Sequence, residues 1–257
     1  MINSTERKPY VSYLSKKDER FAQKFAKQHG LKFITPRNLR ISDTHKLVIW
    51  ISEGKISFQD LSLKNSKPFK LNYLNLKKIN SESSLLKKCF SKKDIGKKVI
   101  DLTGGYCIDA LEISSMGFSV TAFEKKTWLY EFTKQCLADI SHADLKDSSQ
   151  RINFICGDSL KLANKFRDHE IAYLDHMFEI KNDARAKKEI QFLRNLDLND
   201  FDFLAIIKLI EKKFIKKIIY KSALHTDTKS LINLNPSRVI KGKAFKYSIF
   251  HIDQETL

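Results

Sequence analysis

Four cysteines in 257 residues (Cys89, Cys107, Cys136 and Cys156) lie scattered, and no two form a C-x-x-C pair. That spacing argues against structural zinc and, more strongly, against a disulfide framework. The four read as small buried hydrophobes of a reducing compartment. No apolar run approaches the ~20 residues needed to cross a bilayer. The polar, charged start MINSTERKPYVSYLSKKDER lacks the pattern of a secretory leader. The expectation is a soluble, cytoplasmic protein. Internal repeats and long low-complexity linkers are also missing, and so is a complete G-x-G-x-x-G.

Acidic residues are scarce in the front of the chain. Residues 1–96 hold 21 Lys/Arg against 8 Asp/Glu, a net of +13, whereas residues 97–257 hold 26 against 22, a net of +4. The whole chain carries +17. Such asymmetry reads as a basic polyanion-binding module, residues 1–96, joined to a cofactor or catalytic domain, residues 97–257. Nucleic acid is favoured as the polyanion over a lysine bias that serves only solubility.

Hydrophobic residues make up 42% and aromatics 11%, which fits a globular chain able to bury a substantial core. Residues Asp18–His29 place Phe21, Ala22, Phe25 and Ala26 on one helix face, with Gly30 where a C-cap glycine belongs. Leu47–Ile51 and Lys55–Leu61 flank Ser-Glu-Gly and predict a hairpin. Residues 62–84, polar and rich in lysine, are expected to form a mobile or RNA-contacting loop. From Lys98 onward, strand patterns at 99–102, 119–123, 152–156, 171–175 and 217–221 alternate with helical ones at 108–115, 128–140, 159–165, 184–195 and 202–212. Two final strand runs, 237–240 and 245–252, can pair as a terminal hairpin. The predicted class is α/β: a Rossmann-like, mostly parallel sheet with helices on both faces and a closing antiparallel hairpin, the pattern of class I methyltransferases.

The chemistry concentrates in Lys98–Glu124, KVIDLTGGYCIDALEISSMGFSVTAFE, which reads as strand, glycine turn, helix, strand and acid. Asp101, Gly104 and Gly105 form the turn, where glycines let backbone approach a ligand at the helix start. Asp109 is either a charge favourable to the helix dipole or a ligand contact. Glu124 follows 19 residues after Gly105, the separation at which an acid accepts bonds from ribose hydroxyls. Asp158 and Ser159, after the third strand, are either an adenine contact or a helix cap. Asp175 ends the fourth strand, three residues before Phe178. A carboxylate and an aromatic so placed suit methylation of an exocyclic amine, Asp175 orienting the amine and Phe178 stacking on the base. A strand-ending Asp before a core Phe is the plain alternative.

Read in order, the segments HGL (His29–Leu31), LVIWISEGKISF (Leu47–Phe58), KVIDLTGGYCIDAL (Lys98–Leu111), FEKK (Phe123–Lys126), FICGDSL (Phe154–Leu160), YLDHMF (Tyr173–Phe178), KKEIQFL (Lys187–Leu193), IIYK (Ile218–Lys221) and VIKGKAFKYSIF (Val239–Phe250) are collinear with a known pattern. Over about Asp18–Ile252 the chain resembles the RsmJ family of small-subunit ribosomal RNA guanine-N2 methyltransferases. The resemblance implies S-adenosylmethionine as cofactor, with contacts at Ile108, Asp109, Glu124, Lys125, Asp158, Ser159 and Asp175. It implies transfer of a methyl group to a guanine N2 amine in ribosomal RNA or the small subunit, with no membrane and no metal. The chain departs from the family at three places. Cys107-Ile108-Asp109 stands for Gly-Arg-Asp, Asp175-His176 for Asp-Pro, and Ile79–Ser84 for a stretch rich in Gly and Arg. The alternatives are a non-catalytic RNA-binding protein on the same fold and a methyltransferase with DNA or another target.

Overall fold

The computed structural model describes residues 8–41, 47–75, 84–175, 191–193, 206 and 214–252. Contacts divide the chain into two compact units, residues 1–71 with 179–200 and residues 72–178 with 201–257.

In the first unit, strands β1 (Tyr10–Tyr13), β2 (Lys32–Phe33), β3 (Leu47–Ser52) and β4 (Lys55–Asp60) form one sheet in the order β2-β1-β3-β4. β1 runs parallel to both neighbours, and β3 and β4 make the expected hairpin. Helix α1 (Glu19–Gln28) buries Ala22, Phe25 and Ala26, while Phe21 at the edge of its apolar face is half exposed. A short helix, α2 (Pro36–Ile41), precedes β3. The described part of the lysine-rich stretch is not a loose loop. Phe69 exchanges both backbone hydrogen bonds with Phe58, and the Phe58 ring stacks on Phe192 with centroids 4.7 Å apart. Residues 76–83 of that stretch lie outside the described residues.

The second unit is the predicted alternating sheet. Its strands are β5 (Lys98–Asp101), β6 (Ser119–Glu124), β7 (Ile152–Cys156), β8 (His169–Asp175), β9 (Lys217–Ala223), β10 (Arg238–Lys241) and β11 (Phe245–His251), ordered β10-β11-β9-β8-β5-β6-β7. β7, β6, β5, β8 and β9 are parallel; β11 lies antiparallel between β9 and β10. The sheet's helices include α3 (Ile108–Ser115), α4 (Thr127–Ala138), α5 (Ala143–Gln150) and α6 (Ser159–Leu162). Side chains alternate faces along each strand. Val99, Val120, Ile171, Tyr173 and Ile219 pack with Ala110 and Ile113 of α3 on one face. Ile100, Phe123, Ala172, Leu174 and Ile218 pack with Ala163 and Ile232 on the other. Of the two helices expected at 184–195 and 202–212, only residues 191–193 and 206 are described, and these are helical.

The boundary expected between residues 96 and 97 lies instead at Leu71/Asn72, with residues 179–200 returning to the first unit. The reason is packing. Leu86 and Cys89 are buried in the core of the large sheet. Lys217 of β9 donates to Asp94 Oδ2 and to the Cys89 carbonyl, both at 2.7 Å. Charge follows contact: the first unit holds 20 Lys/Arg against 11 Asp/Glu, net +9, in 93 residues, and the second 27 against 19, net +8, in 164. The smaller unit remains the more densely basic.

Both side chains of the Asp94–Lys217 pair are about 5% exposed. Asp94→Ala strands the ammonium in the core and should destabilise the protein by about 3–5 kcal/mol in urea denaturation. Asp94→Ala combined with Lys217→Met should recover most of that loss.

Candidate functional site

β5 ends at Asp101, and the chain turns into α3 through Thr103, Gly104 and Gly105. Asp101 is 2% exposed. Its Oδ1 accepts from the Thr103 amide at 2.9 Å and hydroxyl at 3.2 Å. Gly104 donates to the Phe123 carbonyl at 2.7 Å. A Cβ there would sit 2.7 Å from that oxygen and 3.1 Å from the Phe154 ring, so no side chain fits. Gly105 takes a left-handed φ of +50° and turns its amide onto Glu124 Oε2 at 3.1 Å. Cys107, which stands where the resembling family has glycine, keeps the left-handed conformation (φ 52°, ψ 25°) as the cap of α3. Its thiol is fully buried.

Glu124 ends β6 beside this turn. Its two oxygens accept the amides of Gly105 and Lys126, the latter at 2.7 Å. Burial pushes its carboxyl up to about 7, and those amide bonds restrain the rise. The Glu–glycine coincidence seen in the sequence is therefore a physical contact. Lys125 next to it is exposed, and Ile108 is half-buried in the first turn of α3. Asp158 caps α6, accepting from the Leu160 amide at 3.1 Å, and Ser159 is buried. That pair stands at the carboxyl end of β7, the third strand from β8 along the sheet edge.

A second cluster forms where β8, β9 and α3 meet. Asp175 and Lys221 are paired residues of adjacent parallel strands. Lys221 Nζ donates to Asp175 Oδ2 and to Asp109 Oδ2, both at 2.6 Å. The Tyr173 hydroxyl donates to the same Asp109 oxygen at 2.6 Å. The Asp175 amide donates to Thr103 Oγ1 at 2.7 Å, which links this cluster to Asp101. All four ionic side chains are buried or nearly so.

The charges explain the titration. Burial pushes the Asp175 carboxyl up to about 6, with Lys221 pulling it back and Asp109 adding to the rise. Asp101 is pushed to about 7 by burial, with Asp109 and Asp175 contributing. Burial would lower the Lys221 ammonium, but the two carboxylates outweigh it and hold it well above the ordinary lysine value.

The structure thus gathers Asp101, Gly104, Gly105, Ile108, Asp109, Glu124 and Asp175 around one turn, at the carboxyl ends of the strands beside the reversal of strand order. Open α/β sheets bind ligands at such a place. Phe178 and His176 lie outside the described residues. Sequence reading missed Lys221, Tyr173 and Thr103. IIYK ends in a lysine that patterning reads as a solvated strand end, and only strand pairing reveals its partners. Among the described residues no group of His, Cys, Asp and Glu could hold a metal ion, and no helix is long and apolar enough to cross a membrane.

Comparison with known proteins agrees with this geometry. A family model described as "Putative SAM-dependent methyltransferase" matches residues 33–252. The ribosomal RNA small subunit methyltransferase J of Francisella tularensis subsp. novicida is 23% identical over 240 residues, covering 91% of this chain and 92% of that protein. Its namesake from Agrobacterium fabrum is 27% identical over 158 residues, covering 60% and 75%. A crystal structure of a SAM-dependent methyltransferase from Neisseria gonorrhoeae superposes with a TM-score of 0.58 at 15% identity, covering 96% of this chain and all of that one. The sheet order and the family match agree, and the chain belongs to this family of SAM-dependent methyltransferases.

Proposed function

We propose that the protein transfers a methyl group from S-adenosylmethionine (SAM) to the N2 amine of a guanine in small-subunit ribosomal RNA, in the cytoplasm. The observation that carries this reading is the position of Asp175. Its partly buried carboxylate ends β8 at the turn that gathers Asp101, Gly105 and Glu124. The names of the relatives that cover most of the chain support ribosomal RNA as the substrate.

The residues present fit the cofactor. Gly104 has no room for a side chain, so the turn lies directly against Phe123 and the Phe154 ring. Glu124 is already oriented by two backbone amides and is suited to accept the ribose hydroxyls. Asp101, Asp109 and Asp175 present an acidic environment to a cofactor that carries a sulfonium and an ammonium. Asp158 and Ser159, with Ile108 and Lys125, complete the proposed contact set around the nucleoside. The left-handed backbone of Cys107 preserves the turn despite the missing glycine.

When bound, SAM supplies an electrophilic methyl carbon whose bonding pair stays with sulfur as the amine nitrogen takes the methyl. Asp175 accepts a hydrogen bond from the guanine amine, aims its lone pair at that carbon and takes the proton the nitrogen sheds. Thr103 fixes the Asp175 backbone through its hydroxyl. Phe178, three residues on, stacks on the base. The target guanine must be unpaired or flipped out to reach the site. The basic residues of 1–96 hold the RNA phosphates.

Three outcomes follow from these roles. Asp175→Asn should lower methyl transfer from tritiated SAM to small-subunit RNA by about 100-fold or more, with SAM affinity in calorimetry nearly unchanged; transfer at the wild-type rate refutes the proposed role. SAM affinity should also depend on pH. Glu124 titrates at about 7 in the free protein, and ribose hydroxyls favour its ionised form. Affinity is therefore full above that pH and falls below it, by up to about tenfold per pH unit; Glu124→Gln should bind more weakly and lose that share of the dependence. Finally, RNA affinity should fall steeply between 50 and 200 mM salt, roughly 10³-fold if six phosphates are engaged. RNA binding without any SAM binding would identify a non-catalytic RNA-binding protein instead.

A further inference from the structure

The most heavily engaged cation of the site takes no part in the contacts proposed for SAM or the guanine. Lys221 spans the two halves of the constellation. One hydrogen bond goes to Asp175 on the neighbouring strand and one to Asp109 in the first turn of α3, both at 2.6 Å. The ammonium also lies 5.7 Å from the centre of the Phe245 ring on β11. Its side chain is 16% exposed, and those of Asp109 and Asp175 are 13% and 19%. A lysine that served only solubility would extend into water. This one is directed inward by its register, because residues 217, 219 and 221 share the sheet face that packs on α3.

We propose that Lys221 is the positioning residue of the methyl-transfer site, clamping Asp175 and Asp109 together and keeping Asp175 ionised and aimed at the substrate amine at neutral pH. The inference rests on the proposed role of Asp175. Two like charges brought this close repel, and a carboxylate out of water gains a proton readily. One shared ammonium offsets both effects and holds the strand end to the helix start. Asp175 can take up the amine's proton only when ionised, so the clamp sets the pH range of the reaction.

Among the described residues, the titratable groups acting on Asp175 are Lys221 and Asp109, with Asp101 sensing it in return. Around them, Tyr173 lies on the same strand, Tyr220 on β9 and Tyr247 on β11, each holding its proton more firmly because of burial and, secondarily, nearby acids. Lys221 is the cation of that set, so its removal has one direction of effect. The Asp175 carboxyl, at about 6 with its counter-charge in place, must rise.

The decisive measurement is the titration of Asp175 in the full-length, cofactor-free protein, by ¹³C NMR with carboxyl-labelled aspartate and Asp175→Asn for assignment. In Lys221→Met the titration should move up by about one to three pH units, the effect of losing an adjacent opposite charge. Lys221→Arg should keep it near the wild-type value. The acid limb of the kcat profile for methyl transfer to small-subunit RNA should move by the same interval in Lys221→Met and return in Lys221→Arg. If Lys221→Met does not fold, Lys221→Gln removes the charge while retaining a donor and carries the same test. An Asp175 titration unmoved in a folded charge-removed variant overturns the proposal. Full activity of Asp175→Asn overturns the functional reading instead, and the NMR result still judges the clamp.

Discussion

Bringing three carboxylates to one edge of a sheet costs electrostatic free energy, and the large unit meets that cost with the ammonium of Lys221. Asp101, Asp109 and Asp175 arrive there for separate reasons: one ends β5, one opens α3 and one ends β8. Asp101 and Asp175 are displaced from water, and burial raises both carboxyls. A single bidentate cation lets two of them remain charged. Its position follows from the pairing of β8 with β9, so the charge state of the site depends on strand register. A slip of one residue would turn Lys221 to the opposite face and leave the acids uncompensated.

The second support is backbone geometry. The turn after β5 is held by backbone donors, Gly104 and Cys107 bonding to carbonyls and Gly105 to the Glu124 carboxylate. This is why the loss of one glycine is tolerated: Cys107 occupies the left-handed region, and burial in the core around α3 offsets the strain. The turn, in turn, positions Glu124 through the Gly105 amide. The proposed cofactor contacts and the fold therefore use the same few peptide groups.

Much of the large sheet was legible from the sequence because apolar strands separated by amphipathic helices leave a strong pattern. Ile108–Ser115 and Ile152–Cys156 were placed to the residue. Helix α5 was not anticipated, because ADLKDSSQ buries only Leu145 and Ser148 and so lacks an apolar stripe. β1 and β2 escaped for a different reason: four- and two-residue strands carry too few alternations to read. The domain division followed charge in the sequence but packing in the structure, since Leu86, Cys89 and Asp94 belong to the large core. In the site, the Gly105–Glu124 relation was visible as a spacing. The Lys221 bridge was not, because it joins residues 46 and 112 positions apart. Through-space neutralisation of this kind leaves no local signature.

The cysteines have a practical consequence at the same edge. Cys89, Cys107 and Cys136 are buried, whereas Cys156 is exposed at the last position of β7, paired in register with Glu124. A maleimide or nitroxide reagent would therefore modify one thiol selectively without any engineering of the chain. Because burial and the nearby acids Glu124 and Glu131 hold that thiol's pKa above its ordinary value, mildly alkaline conditions favour the coupling. The attached probe would report spectroscopically on whether SAM occupies the edge proposed to bind it.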